Sequence, residues 1–266
     1  MLRCLPDAPA ARRGAAPGWK MRAKISHRHT MIVLGILFAL VWAALSICPL
    51  YRADWLLENL MVVPFVACLL ATSRSFPFSR ISYALIFVFL CLHEIGAHYT
   101  YSEVPYDAWF QALTGRTFNS LLGWQRNQFD RLTHFAFGLL LAYPVREIFV
   151  RVAEAKGFWA YYLPLDVTMA CSALFELIEW GAAEAFGGDL GVAYLGTQGD
   201  PWDAQKDMAL ATLGAVLAML ATAAINLRLQ RDFAREWGES LRVKKRRPLG
   251  EDEMRRMASQ PRDSSP

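Results

Sequence analysis

Acidic and histidine side chains recur at helical spacing in this sequence, and such pairs could bind a metal ion or transfer protons. Residues three or four apart lie on one face of a helix. Helical bundles build metal sites from such pairs on facing helices, and carboxylates with a few imidazoles suit Mg, Mn, Fe or Zn. The same groups could act as general acids and bases. The pairs are Glu94 and His98, Asp130 and His134, Glu176 and Glu179, and Asp203 and Asp207.

The residues that could carry the chemistry are the members of these pairs and two of their neighbours. The candidate catalytic residues are His93, Glu94, His98, Asp130, Arg131, His134, Glu176, Glu179, Asp203 and Asp207. The candidate metal ligands are His98, His134, Glu179 and Asp207. Arg126 and Lys206 could hold a substrate phosphate, and Trp202 is a further candidate for substrate binding. The cofactor that this set predicts is a divalent metal ion, with no single metal preferred.

Six apolar segments must position these residues. Of the 266 residues, 55% are hydrophobic and 20% are charged, which excludes disordered, collagen-like and soluble solenoid proteins. The fourth segment reaches spanning length only if it runs from about Asp130 to Phe149. The segments are Met31 to Leu50, Trp55 to Thr72, Ile81 to His98, Leu132 to Pro144, Phe158 to Ala183 and Met208 to Leu227. The sequence predicts an all-α polytopic membrane helix bundle of six transmembrane helices.

The distribution of Lys and Arg predicts the orientation of these helices. One side of the predicted topology holds 23 of the 28 basic residues, and the other side holds five. The positive-inside rule then places both termini in the cytoplasm, which requires an even number of spans. The predicted organisation is a disordered basic leader over 1–30, a six-span domain over 31–227 and a basic cytoplasmic tail over 228–266. The expected location is the bacterial inner (plasma) membrane.

With this topology, the candidate residues of the third to sixth segments, together with Glu58 and Asn59 of the second, share one depth near the external leaflet. Charged groups in hydrocarbon cost several kcal/mol unless they are paired, hydrated or metal-bound. We therefore expect them to face one another across a water-accessible cavity. The alternative is that they form ion pairs that merely close the bundle.

Two external loops are candidate covers for this cavity. The segment from Tyr99 to Phe129 is rich in aromatic residues, which indicates either an aromatic belt at the interface or a lid or lipid entrance. The glycine-rich loop from Gly187 to Trp202 is a candidate rim. The expected partner is membrane lipid, and no protein partner is indicated. The basic run Val243 to Arg247 is typical of a membrane-side anchor, and no nucleic-acid-binding pattern accompanies it.

Four motifs resemble the YjdF-type family of bacterial inner-membrane proteins over roughly Met31 to Leu227. They are His93 to Tyr101 (HEIGAHYTY), Asp130 to Phe135 (DRLTHF), Glu176 to Trp180 (ELIEW) and Gly199 to Met208 (GDPWDAQKDM). The resemblance implies a polytopic plasma-membrane protein and no particular reaction. The Asp-x-x-x-His-Phe start of the fourth span is also similar to VanZ-like membrane proteins. That pattern has an Asn after its last Asp where this chain has Ala211, so no residue role is carried over.

The predicted function is that of a metal-dependent enzyme acting on a lipid or lipid-linked substrate near the outer leaflet. A site at headgroup depth, nearby basic residues and aromatic flanks favour this interpretation. One alternative is a proton-coupled transporter or permease, in which histidine and carboxylate pairs relay protons. Another is a non-catalytic membrane assembly protein, in which the polar residues only lock the bundle.

Overall fold

The structure, a computed structural model, describes residues 26–186, 197–244 and 250–259. Every regular element in these ranges is helical. The helices are α1 (His27–Leu45), α2 (Arg52–Thr72), α3 (Arg80–Tyr99), α4 (Tyr106–Thr114), α5 (Phe118–Leu122), α6 (Phe129–Val152), α7 (Trp159–Phe186), α8 (Asp203–Leu229), α9 (Phe233–Ser240) and α10 (Glu251–Ala258), with a 3₁₀ turn at Tyr101–Glu103. The all-α prediction is therefore confirmed. Most of the predicted leader, part of the basic tail and residues 187–196 of the predicted rim lie outside the described residues.

Six long helices correspond to the six predicted apolar segments. Five of them, α1, α2, α3, α7 and α8, are long and apolar enough to cross a membrane. The remaining long helix is α6, which carries Asp130 and Arg131 near one end and Glu147 and Arg151 near the other. It also packs against α3, α7 and α8, so neighbouring helices rather than lipid cover much of its surface. The count of six spans and the orientation of the termini stay predictions.

Close packing of α6 against α8 forms the centre of the bundle. A Cβ atom added at Gly138 would lie 1.8 Å from the carbonyl oxygen of Ala211, and one added at Gly214 would lie 2.2 Å from the carbonyl oxygen of Phe135. The two backbones are thus in direct contact. Small residues allow this approach, as is common between helices in membranes. Ala142, Ala211 and Ala215 are completely buried in the same interface.

The packing faces of α6 and α8 continue into the candidate site. Residues four apart on a helix lie on one face. On α6 this spacing joins Asp130 and His134 to the packing residues Gly138 and Ala142, and on α8 it joins Asp203 and Asp207 to Ala211 and Ala215. The two polar pairs are therefore brought together because the small residues beyond them let the helices touch.

At the opposite end of the bundle, Glu147 joins α6 to the amino end of α3. Its carboxylate accepts hydrogen bonds from the Ser79 backbone N–H at 2.9 Å and from the Ser82 hydroxyl at 2.6 Å. It also pairs with Arg151 at 2.8 Å. Helix α9 packs at this end too, since Ser240 Oγ accepts from the Phe158 backbone N–H at 3.0 Å. The packed structure thus extends beyond residue 227, where the sequence predicted the tail to begin.

We expect Glu147→Ala to lower the free energy of unfolding by about 2 kcal/mol, because three donors lose their charged acceptor. The measurement is unfolding of the purified protein in mixed SDS and mild-detergent micelles. Glu239→Ala is the matched control, since Glu239 is exposed and lies 3.9 Å from an exposed Arg235. Equal effects of the two substitutions would contradict the structural role of Glu147.

Candidate functional site

The polar side chains of five helices meet at one end of the bundle, which we call the polar end. It contains the amino ends of α2, α6 and α8 and the carboxyl ends of α3 and α7. Hydrogen bonds tie these ends together. The Leu50 backbone N–H donates to the carbonyl oxygen of His98 at 2.9 Å, and the Thr100 hydroxyl donates to Asp54 Oδ2 at 2.8 Å. Residues that are up to about 150 positions apart in the chain are therefore neighbours here.

Asp130, His134 and Asp207 form the central group, which we call the acid–histidine triad. One ligand atom from each lies within 4.8 Å of the other two. His134 Nε2 is 3.6 Å from Asp130 Oδ1 and 3.4 Å from Glu176 Oε1. Among the described residues, this is the one group of three or more acids, histidines or cysteines close enough to share a metal ion.

Unpartnered oxygen atoms support the fit of the triad to a cation. Asp207 Oδ1 is buried and has no hydrogen-bond partner, and buried Glu176 Oε1 has only the 3.4 Å contact with His134 Nε2. Buried carboxylate oxygens are normally hydrogen-bonded or bound to a metal, because losing water costs several kcal/mol. Two carboxylates and an imidazole from adjacent helices give the hard donor set that Mg, Mn, Fe or Zn accepts.

The structure brings together only part of the predicted metal-binding set. His134 and Asp207 belong to the triad, and Glu179 lines the cavities beside it. His98 lies elsewhere, because its Nδ1 is 2.7 Å from the carbonyl oxygen of Leu45 at the end of α1. The four-residue spacing correctly puts Glu94 and His98 on one face of α3, but that face is directed to α1 and α2 rather than to α6.

Glu94 is completely buried near Trp55 and Asn59 of α2. Both of its carboxylate oxygens lack a hydrogen-bond partner of good geometry. Asn59 is itself engaged, since its side chain accepts from Trp42 Nε1 at 2.6 Å. Glu94 is therefore part of the polar contact between α1, α2 and α3, apart from the triad.

A second polar group links α2, α3 and the 3₁₀ turn, and we call it the Tyr–His–Glu chain. The Tyr101 hydroxyl lies 2.6 Å from His93 Nδ1, and His93 Nε2 lies 3.9 Å from Glu58 Oε2. Burial, with Glu58 and Asp130 nearby, raises the pKa of Tyr101 well above its usual value. The phenol therefore remains protonated and able to donate. His93 was a candidate catalytic residue, Glu58 was expected only at the same depth, and Tyr101 was not predicted at the site.

An unusual backbone conformation places Tyr101 in this chain. Thr100 and Tyr101 both have positive φ angles, 58° and 35°, which non-glycine residues rarely adopt. The Tyr101 ring then lies directly over Gly96, where a Cβ atom would be 2.3 Å from the ring. Side-chain types and spacing carry no signal for this reversal, which is why the sequence did not indicate Tyr101.

An ion-pair network closes the outer edge of the polar end. Asp203 Oδ1 lies 2.8 Å from Arg126 and 2.9 Å from Arg131. Asp200 Oδ2 lies 2.6 Å from Arg131 and 2.5 Å from Lys206 Nζ. These partners, Lys206 foremost, hold the pKa of Asp200 well below its usual value. The basic groups predicted to bind phosphate are thus already paired with aspartates.

The third predicted substrate-binding residue, Trp202, is 64% exposed. Its ring is therefore available at the surface beside the ion-pair network. The roles of Arg126, Lys206 and Trp202 in substrate binding stay predictions.

The aromatic segment after α3 folds into the 3₁₀ turn and the short helices α4 and α5. Phe118 packs against Phe110 and Trp124 with ring centroids 5.2 and 5.7 Å apart. Tyr106 contacts Phe129 at the start of α6 at 6.4 Å. The segment therefore makes a small aromatic cluster of its own, joined to the polar end through Tyr106.

Two cavities meet at the polar end. A polar cavity of about 410 Å³ lies between α7 and α8 and includes Glu176, Asp203 and Asp207 in its lining. An apolar cavity of about 370 Å³ lies between α2, α3, α6 and α7. Asp130 and Glu179 line both. The candidate acids thus lie where an acid-lined cavity and an apolar cavity join.

Comparisons with known proteins agree with this architecture. Residues 29–228 match the family described as "Predicted membrane protein (DUF2238)". The chain is 40% identical over 183 residues to the inner membrane protein YjdF of Escherichia coli strain K12, which covers 68% of this chain and 83% of that relative. No solved structure matches the chain significantly. The chain therefore belongs to the DUF2238 family and is a multi-pass protein of the bacterial inner membrane.

Proposed function

We propose that this protein is a divalent-metal-dependent enzyme that acts on a lipid or lipid-linked substrate at the depth of the outer-leaflet head groups. The observation that carries the proposal is the position of the acid–histidine triad at the junction of a polar and an apolar cavity. Asp130 belongs to the triad and lines both cavities. An amphiphile bound across this junction would present its polar head to the triad.

The charge of the site also favours a bound cation. In the described part of the chain, Asp130, Glu176, Glu179 and Asp207 have no Lys or Arg within 4.0 Å. Buried acids without a basic partner would either stay protonated or repel an anionic head group. A divalent ion held by the triad would compensate the acids and attract the head group at the same time.

The chain supplies groups that can position substrate and move protons. A bound divalent ion would act as a Lewis acid on a substrate oxygen. Glu176 Oε1 lies 3.4 Å from His134 Nε2, the ring nitrogen that also faces Asp130, and so could serve as a further metal ligand or exchange a proton with the imidazole. Tyr101 lines the apolar cavity near Asp130 and offers a protonated phenol to a bound head group.

The proposal is tested by the metal content of the protein after purification in lipid nanodiscs. Aliquots are incubated with Mn²⁺, Zn²⁺ or Mg²⁺, and unbound ions are removed before elemental analysis by mass spectrometry. We expect about one ion per chain for at least one metal, and a rise in the unfolding temperature that EDTA reverses.

Substitutions in the triad make this test specific. Asp207→Asn and His134→Ala are expected to lower the bound metal about tenfold or more, since each removes a ligand. His98→Ala is the matched control, because its imidazole contacts α1 and not the triad. Protein that takes up none of the three ions, or triad variants that keep the full metal content, would overturn the proposal.

A further inference from the structure

The apolar cavity has the form of a groove between two side walls. Its floor includes Phe89 of α3 and Phe137 of α6, and its walls include Met61 and Phe65 of α2 on one side and Leu174 and Ile178 of α7 on the other. Helix α2 packs against α3, whereas α7 packs against α6 and α8. The two walls are therefore attached to different helices of the floor, α2 to α3 and α7 to α6. All four wall residues named are more than a third exposed, so the upper edge of the groove faces the surrounding bilayer.

The groove is long in comparison with one leaflet. It extends along α6 from Asp130 to Val145. A helix rises about 1.5 Å per residue, so this distance is about 22 Å. The hydrocarbon core of a bilayer is about 30 Å thick, or about 15 Å per leaflet. A chain that fills the groove from the polar end would therefore pass the bilayer midplane.

The groove is also narrow and has one polar end. Its volume of about 370 Å³ is near the lower limit of about 300 Å³ for ligand sites, which is room for one chain rather than two. Its polar lining includes His93, Tyr101, Asp130 and Glu179 at the polar end. Most of the remaining lining is aliphatic or aromatic, so water gains few hydrogen bonds there.

We propose that the groove binds the hydrocarbon chain of a single-chain lipid phosphate, which enters sideways from the bilayer between α2 and α7 and leaves its head group at the triad. Membrane lipid is the phase that already surrounds the exposed edge of the groove, and an amphiphile matches its polarity along its length. The position of the phosphate rests on the proposed function, whereas binding of the chain rests on the groove alone.

The test is photolabelling of the full-length protein in nanodiscs. One probe is a polyprenyl monophosphate whose chain is about 22 Å long, the length of the groove, with a diazirine near the far end of that chain. The other is a phosphatidylglycerol with a diazirine at the end of one acyl chain. Labelled peptides are identified by mass spectrometry. We expect the polyprenyl probe to label the floor of the groove around Phe137 and Leu141, and to do so more strongly than the phosphatidylglycerol.

Filling the groove should remove the label. Ser172 is a small, buried wall residue whose hydroxyl has no partner, and Ser172→Trp is expected to reduce floor labelling about tenfold or more. If Ser172→Trp does not fold, Cys171→Trp is the alternative groove-filling variant. Cys171 also lines the groove, but it is exposed, so a larger side chain there disturbs the packing less. Leu220→Trp is the control, since Leu220 is 61% exposed on α8 outside the groove.

The outcomes separate this inference from the proposed function. Floor labelling that persists in both filled variants, labelling confined to the lipid-facing surface, or labelling by the phosphatidylglycerol alone would overturn it. Asp207→Asn is expected to lose metal and still label at the floor. A metal-free protein whose groove floor is still labelled would support binding of the lipid chain in the groove. It would contradict only the proposed metal-dependent enzyme.

Discussion

Gly138→Ala is expected to destabilise the bundle by about 3 kcal/mol or more, although it adds only one methyl group. The new Cβ would lie 1.8 Å from the carbonyl oxygen of Ala211 and 2.8 Å from the backbone nitrogen of Ala215. Backbone atoms cannot move aside as a flexible side chain can, so α6 and α8 must separate. Overpacking of this kind costs about 1–3 kcal/mol and at times more.

A glycine-to-alanine substitution should not destabilise the protein where the helix surface has room for the added methyl group. At Gly35 of α1 and Gly181 of α7, no atom lies within 4 Å of the position that the new methyl group would take, and alanine is the better helix former by about 1 kcal/mol. Gly35→Ala and Gly181→Ala are therefore expected to be neutral or stabilising. Folded protein in the membrane fraction and SDS unfolding of the purified protein measure both effects. A neutral Gly138→Ala would show that α6 and α8 do not touch.

Asp203→Ala is expected to lower the free energy of unfolding by about 3 kcal/mol. Its carboxylate is almost completely buried and lies within 3 Å of both Arg126 and Arg131. Removing it leaves two largely buried guanidinium groups that share Asp200 alone, and uncompensated buried charges are costly. The arginines would keep their contacts with Asp200 and with the carbonyl oxygen of Thr197, to which Arg126 donates at 2.8 Å.

A surface ion pair provides the comparison for Asp203. Asp232 lies 3.4 Å from Arg235, and both side chains are mostly exposed. Asp232→Ala should have little effect, because exposed pairs contribute little and are screened by salt. Unfolding of the two variants in mixed micelles at low and at high salt is the measurement. If Asp203→Ala were as mild as Asp232→Ala, the network would be solvated rather than structural.

The sequence predicted the helices well because membrane spans depend on local composition. Long apolar segments indicate α2, α3, α7 and α8 directly. The apolar core of α6, Leu132 to Pro144, is too short to span, and the extension to about Asp130 and Phe149 that spanning requires is close to the observed Phe129–Val152. Its charged ends reduced the signal, and contact with three other helices makes those ends tolerable. The sequence-based boundary of α1 was also late, since the helix begins at His27.

The sequence predicted the site in part, because spacing places residues on a common face without saying which neighbour that face meets. Asp130 with His134 and Asp203 with Asp207 lie on faces that the structure continues into the small packing residues Gly138, Ala142, Ala211 and Ala215. For Glu94 and His98, the sequence correctly predicted a shared face of α3, but that face contacts α1 and α2 rather than α6. Tyr101 depends on a chain reversal at Thr100, and no pattern of residue types predicts that turn.

Because of the backbone contact at Gly138, we expect the pair α6 and α8 to be stiffer than the part of the bundle around α2. Two triad helices are held at fixed distance by main-chain atoms, so the spacing of Asp130, His134 and Asp207 does not depend on the adjustment of long side chains. Helix α2 has no comparable anchor to α6 or α8 and packs chiefly on α3. We therefore expect any opening of the bundle to come from an outward movement of α2, which would draw Glu58 away from His93 while Asp130, His134 and Asp207 stay in register.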